Sequence, residues 1–187
     1  MRIEPTALPG VLQVLPVRHG DHRGFFSEVF HAGRFAEAGL TGPWVQDNHS
    51  LTAQVGTVRG LHFQTPPHAQ GKLVRVIRGA ILDVAVDLRH GSPTFGRHVA
   101  VELSVEKWNQ LWVPPGFAHG FCSLVPEVEV LYKVTAHYAP AHDAGVRWDD
   151  PDLAIPWPVA PGSAVLSAKD AALPRLRDLP PTFRYEP

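Results

Sequence analysis

The chain has 187 residues, of which 44% are hydrophobic and 19% charged, and a net charge of -1. That length suits one domain with a sizeable core, and the near-neutral balance excludes bulk electrostatic attraction to nucleic acid or an anionic membrane. The single cysteine, Cys122, excludes an intrachain disulfide; its apolar flanks make it a buried structural thiol, as expected in a reducing compartment.

No apolar run approaches the roughly 20 residues of a membrane helix. The opening Met1-Arg2-Ile3-Glu4-Pro5 lacks the apolar core of a signal peptide, so a soluble, cytoplasmic protein is expected. Nineteen prolines and sixteen glycines break the chain often enough to favour short strands over long helices. Residues 24–30 read as extended, 31–38 as a short helix and 55–64 as a strand. Lys72–Arg78 and 80–88 are strands joined tightly at Gly79. In the second, Leu82, Val84, Val86 and Leu88 alternate with Ile81, Asp83, Ala85 and Asp87, a period of two. Strands follow at 98–103, Gln110–Val113, 120–124 and Val128–Val134, with a turn over 104–109 capped by Ser104. Many short, closely spaced strands predict an all-β protein. A jelly-roll β-sandwich with short helices is the natural choice, since its two sheets can enclose a cavity. The stretch 139–161 turns rich in Pro and Asp and carries Trp148 and Trp157. It begins a C-terminal arm, 139–187, expected to pack on the barrel as part of a single domain, 1–187.

The chemistry concentrates in Arg59-Gly60-Leu61-His62-Phe63-Gln64. In a strand, Gly60, His62 and Gln64 share one face and Leu61 and Phe63 take the other, core-like face. Arg59 starts on the second face, with a side chain long enough to curl round the strand end. Polar groups aimed into one cavity are costly unless they bind something; the competing reading is a surface edge strand. A second segment, Pro114-Pro115-Gly116-Phe117-Ala118-His119, resembles the second metal motif of the cupin superfamily. The first motif, however, would offer His62-Phe63-Gln64, with Lys72 near the carboxylate position. Gln is a poor transition-metal ligand and Lys opposes a cation, so no metal is expected and His119 becomes either a cavity-lining polar group or a structural histidine beside a turn.

Without a metal, His62 has the side chain suited to moving a proton near neutral pH. Lys72 can hold a developing oxyanion, and the Tyr132 phenol can return a proton to an enolate. Together these three suit proton removal and return beside a carbonyl, and epimerisation if base and acid face opposite sides of the substrate. Taken singly, Lys72 reads equally as a solvated lysine at a strand start and Tyr132 as a barrel tyrosine. Ser167-Ala168-Lys169-Asp170 reads either as the cap of a short helix or as the carrier of the carboxylate, Asp170, that orients a catalytic histidine. Spacing favours the cap.

Across nearly its whole length the chain resembles the dTDP-4-dehydrorhamnose 3,5-epimerase family, within the cupin superfamily. The blocks that carry this are Asp21-His22-Arg23-Gly24-Phe25-Phe26-Ser27-Glu28, Gln46-Asp47-Asn48-His49-Ser50, Val58–Gln64 and Ala69-Gln70-Gly71-Lys72-Leu73-Val74. They continue through Asp83 to Arg89, Gly91 to Gly96, Pro114 to Phe121, Tyr132-Lys133, Asp149-Asp150-Pro151, Ile155-Pro156-Trp157-Pro158 and Leu166 to Asp170. The resemblance implies a cofactor-independent jelly-roll homodimer acting on a dTDP-4-keto-6-deoxyhexose and inverting carbons 3 and 5. It implies His62 as base oriented by Asp170, Lys72 on the enolate oxygen and Tyr132 as acid. Arg59 and His119 would lie near sugar and phosphates. Arg23, Glu28, Gln46 and Asn48 would bind the nucleotide, some of them across the dimer; Lys169 would reach the ligand and Tyr138 would stack on the base. Phe25 and Phe26 offer further stacking surfaces, with at least one expected in the core. Asp143 stands where the family often has Glu, which keeps the charge and shortens the reach. The last stretch, Pro181 to Tyr185, has no assigned counterpart. A 3-only or 5-only epimerase, a 3,4-ketoisomerase, a silent sugar-nucleotide binding module and a metal-dependent oxygenase are the competing readings.

Overall fold

In the computed structural model, which describes residues 1–160 and 162–186, the strands are β1 (Arg2–Pro5), β2 (Leu12–Leu15), β3 (His19–Asp21), β4 (Gly24–Phe26), β5 (Gln46–Thr52), β6 (Val58–Gln64), β7 (Lys72–Arg78), β8 (Ala80–Asp87), β9 (Arg89–His90), β10 (His98–Ser104), β11 (Gln110–Val113), β12 (Phe117–Ser123), β13 (Val128–Val134), β14 (Asp143–Gly145) and β15 (Phe183–Arg184). The helices α1 (Ala32–Glu37) and α2 (Ala168–Ala171) are short. Two antiparallel sheets stack as a jelly roll, one ordered β1-β2-β11-β7-β13-β5 and the other β10-β8-β12-β6-β14.

Alternation sorts the side chains into layers. Val74, Val76, Ile81, Ala85, Leu111, Phe117, Phe121 and Val130 meet between the sheets. Leu82, Val84 and Val86, the apolar row of β8, and Leu88 just after it face outward under Leu153, Ile155, Leu176 and Phe183 of the C-terminal arm. The polar-looking row of β8 is therefore the interior one, and Asp83 and Asp87 are fully buried. On the far side Phe35 of α1 packs with Trp44 and Trp112 over the six-stranded sheet. Trp148 and Trp157 cover Val58 and Cys122; burial pushes the Cys122 thiol up to about 11.

Several elements differ from expectation. The extended stretch at 24–30 is a strand only over Gly24–Phe26. Residues 104–109, by contrast, make the expected single turn, in which Ser104 Oγ accepts from the Lys107 amide. β5, whose alternation is polar along one edge, carries no apolar signature and is set by pairing with β13. The last arm docks by β15, which pairs in parallel with β9. Phe183 meets Phe63 at 5.7 Å between ring centroids, and Tyr185 lies under the Arg89 guanidinium.

Candidate active site

A cavity of about 430 Å³ lies between the sheets and joins a lobe of about 250 Å³. His62, Lys72, Tyr132 and Lys169 line both. β6 contributes two of the polar walls because its register slips. His119 of β12 opposes His62, but Phe121 opposes Arg59, so β6 has one residue more than its partner between those pairs. Such a bulge resets the alternation and turns Arg59 to the cavity side with His62, so the long side chain has no need to curl round the strand. Two glycines permit it. A Cβ at Gly60 (φ +120°) would lie 2.7 Å from the Gly120 Cα, and one at Gly120 2.6 Å from the Arg59 carbonyl.

His62 is held from behind. Its Nε2 lies 2.5 Å from Asp170 Oδ1, and Asp170 is buried whereas the imidazole keeps about 31% exposure. α2 supplies that carboxylate. Ser167 Oγ accepts from the Asp170 amide at 3.1 Å, so Asp170 is capped through its backbone while its side chain turns to the histidine. The cap and the orienting carboxylate, alternatives in the sequence, are one device. Burial raises the Asp170 carboxyl, but the hydrogen bond and charge of His62 outweigh it and hold it below the ordinary value.

Lys72 opens β7, buried, with Nζ donating to the His62 carbonyl at 3.2 Å. Burial pushes its ammonium down to about 8, against the pull of Asp143 and Asp83. Tyr132 comes from β13 in the opposite sheet to His62. Burial, with Asp143 adding and Arg59 opposing, raises its phenol. Arg59 Nε donates to Thr52 Oγ1 and Nη2 to the Leu51 carbonyl, both at 3.0 Å. Arg59 and Lys72 thus spend donors on neutral oxygens, and among the described residues no carboxylate pairs directly with either. Their charge suits an anionic ligand. His119, buried, has Nε2 2.8 Å from Asp83 Oδ1, making a second histidine–aspartate pair opposite the first.

The smaller lobe gathers Gln46, Asn48, Tyr138, Asp143 and Lys169. Gln46 Nε2 donates to Asn48 Oδ1 at 2.8 Å. The Tyr138 hydroxyl donates to Asp143 Oδ2 at 2.8 Å, and Lys169 pairs with the same oxygen. Burial raises the Asp143 carboxyl, but Lys169 and Tyr138 together bring it below its usual value. The shorter Asp side chain therefore still reaches both partners.

Arg23 and Glu28 are not brought to the cavity within the chain. Arg23 pairs with Asp21 at 2.5 Å, and Glu28 accepts from Arg34 at 2.7 Å. Neither Phe25 nor Phe26 is core. They are 55% and 73% exposed, because β3 and β4 form a separate two-stranded hairpin; Phe25 meets Trp108 edge-on at 4.8 Å and lies under the Arg18 guanidinium. Among the described residues no three His, Cys, Asp or Glu side chains gather in a metal-holding cluster. His62 and His119 each give Nε2 to their own carboxylate. Asp83, which pairs with His119, and Thr52, which accepts from Arg59, support the site and had no place in the sequence analysis as site residues. The one available signal was the two aspartates in the alternation of β8.

The family model described as dTDP-4-dehydrorhamnose 3,5-epimerase matches residues 5–178. A dTDP-4-dehydrorhamnose 3,5-epimerase of Sinorhizobium fredii is 52% identical, over 99% of this chain and 94% of its own. A crystal structure of the enzyme of that name from Bacillus anthracis, with TDP and PPi bound, superposes with a TM-score of 0.90 at 49% identity, covering 93% of this chain and 98% of the other. The dTDP-6-deoxy-D-glucose-3,5-epimerase of Legionella pneumophila, in complex with dTDP-4-keto-L-rhamnose, gives 0.94 at 44% identity, covering 100% and 99%.

Proposed function

The chain belongs to the dTDP-4-dehydrorhamnose 3,5-epimerase family, and from that membership we propose that it inverts carbons 3 and 5 of dTDP-4-dehydro-6-deoxy-D-glucose to give dTDP-4-dehydro-L-rhamnose. Both carbons flank the ketone, so each proton is acidified by the same carbonyl. His62 removes it. Asp170 occupies Nε2, which leaves Nδ1 as the basic nitrogen and stabilises the imidazolium that forms. The electrons move onto the ketone oxygen, where the Lys72 ammonium balances the enolate charge. Tyr132 gives a proton to the opposite face of the carbon, and the C–H bond re-forms inverted. The observation that carries this reading is that His62, paired with Asp170 of α2, projects from one sheet and Tyr132 from the facing one, with the Lys72 cation in the same cavity.

Arg59 and His119 lie near the sugar and diphosphate. Gln46, Asn48, Tyr138, Asp143 and Lys169 receive the nucleoside, with the Tyr138 ring as a surface for the base. Arg23 and Glu28 act in a homodimer. Their support is the β3–β4 hairpin, which stands outside its own chain's cavity with two exposed phenylalanines that a second copy would cover.

The decisive experiment incubates the protein with dTDP-4-keto-6-deoxyglucose in deuterium oxide. Deuterium at carbons 3 and 5 is expected. Incorporation at one carbon alone would make it a mono-epimerase, and none at either would overturn the proton-transfer reading.

A further inference from the structure

The segment that carries Tyr138 is gripped by three glutamine side chains. Gln64 is 4% exposed and uses both ends of its amide: Nε2 donates to the His68 carbonyl at 2.7 Å and the His137 carbonyl at 3.2 Å, and Oε1 accepts from the Ala139 amide at 2.8 Å. Gln46 Oε1 accepts from the Tyr138 amide at 3.0 Å. Gln70 Nε2 donates to the Ala136 carbonyl at 2.7 Å. Four consecutive residues, 136–139, thus each give one backbone group to a neutral side-chain amide. Gln46 reaches in from β5 of one sheet and Gln64 from β6 of the other. Residues 136–139 belong to no strand, so these bonds replace the ladder that would otherwise hold them. What they hold in place is an aromatic ring left 55% exposed at the edge of the smaller lobe.

We propose that Gln64 is a positioning residue for nucleoside recognition: with Gln70 and Gln46 it mounts the 136–139 segment rigidly, so that the Tyr138 ring is presented to the base before the ligand arrives. Gln64 does not itself meet the ligand, because both its amide protons are committed to backbone carbonyls. A pre-set ring spares the ordering cost that a mobile loop would incur on binding. Neutral amides suit the task, since a charged clamp would perturb Lys169 and Asp143 in the same lobe. The inference rests on the reading that Tyr138 contacts the nucleoside.

The test is a double-mutant cycle on dTDP affinity, read by calorimetry, alongside kcat. Gln64→Leu keeps much of the side-chain volume, adds no charge, and removes the bonds to the His68 and His137 carbonyls and the Ala139 amide. Gln70→Leu is a milder release if the first variant folds poorly. Each is expected to weaken dTDP binding about tenfold with kcat within about twofold, and to add nothing in a Tyr138→Ala background. If Tyr138→Ala leaves dTDP affinity unchanged, the reading of Tyr138 fails. If Tyr138→Ala weakens binding while the glutamine variants do not, or if their effects add to it in full, the mount fails and the Tyr138 reading stands.

Discussion

Replacing Asp170 by Asn isolates what its carboxylate does for His62. The substitution keeps size and leaves the backbone amide of residue 170 on Ser167 Oγ, so α2 keeps its cap. It removes the charge from a buried 2.5 Å contact. In the proposed mechanism the His62 ring becomes cationic as it takes the substrate proton, and the lost interaction is then a charge-assisted hydrogen bond of about 1.5–3 kcal/mol. Because that term grows in the transition state, it falls on kcat, by about 10- to 100-fold at roughly 1.4 kcal/mol per decade. Binding of dTDP, which needs no imidazolium, should stay within about twofold. Product formation followed by NMR, with calorimetry for dTDP, reads both. Ser167→Ala is the control: it should cost about 1 kcal/mol of stability in urea unfolding through the lost cap, with a smaller effect on turnover. If Asp170→Asn leaves kcat within twofold, or weakens dTDP as much as it slows turnover, Asp170 does not act through the His62 charge.

The Lys72 ammonium, pushed down to about 8, should impose a falling limb on kcat as pH rises through that value, and Lys72→Met should flatten the limb at a lower rate. Because its folded value lies below its ordinary 10.5, the folded state releases this proton first. Holding the charged form is therefore a cost below about pH 8, relieved as pH rises from there towards 10.5, and stability measured by urea unfolding should carry that contribution. Tyr132→Phe should keep deuterium exchange, since His62 still removes the proton, yet lower inverted product by about 100-fold or more; unchanged inversion at carbon 5 would remove Tyr132 as the acid. Phe25→Ser with Phe26→Ser should convert a dimer to a monomer by light scattering and weaken dTDP binding. A wild-type monomer, or a variant that stays dimeric with full affinity, would contradict the proposed shared site.

Much of the site was legible because short-range rules carried it. The period of two along 80–88, and the core pair Leu61 and Phe63 beneath His62, follow from strand geometry alone. The Ser167 cap was likewise readable, because capping is local. Other features had no local signal. β5 is polar on one edge, and only its pairing with β13 makes it a strand. Phe25 and Phe26 look like core residues by composition, yet sit on a hairpin outside both sheets.

The order of residues was thus enough for the jelly-roll class and for the side chains with the chemistry to move a proton beside a ketone, since both depend on residue type and near-neighbour spacing. Where those side chains point was settled by pairing between segments far apart in the chain. The one-residue slip between β6 and β12 turns Arg59 towards His62. The approach of α2, 108 residues on, sets Asp170 against the same ring. The two glutamines reaching from opposite sheets hold residues 138 and 139. Such contacts arise when the sheets close around a shared core, and no local pattern encodes their register.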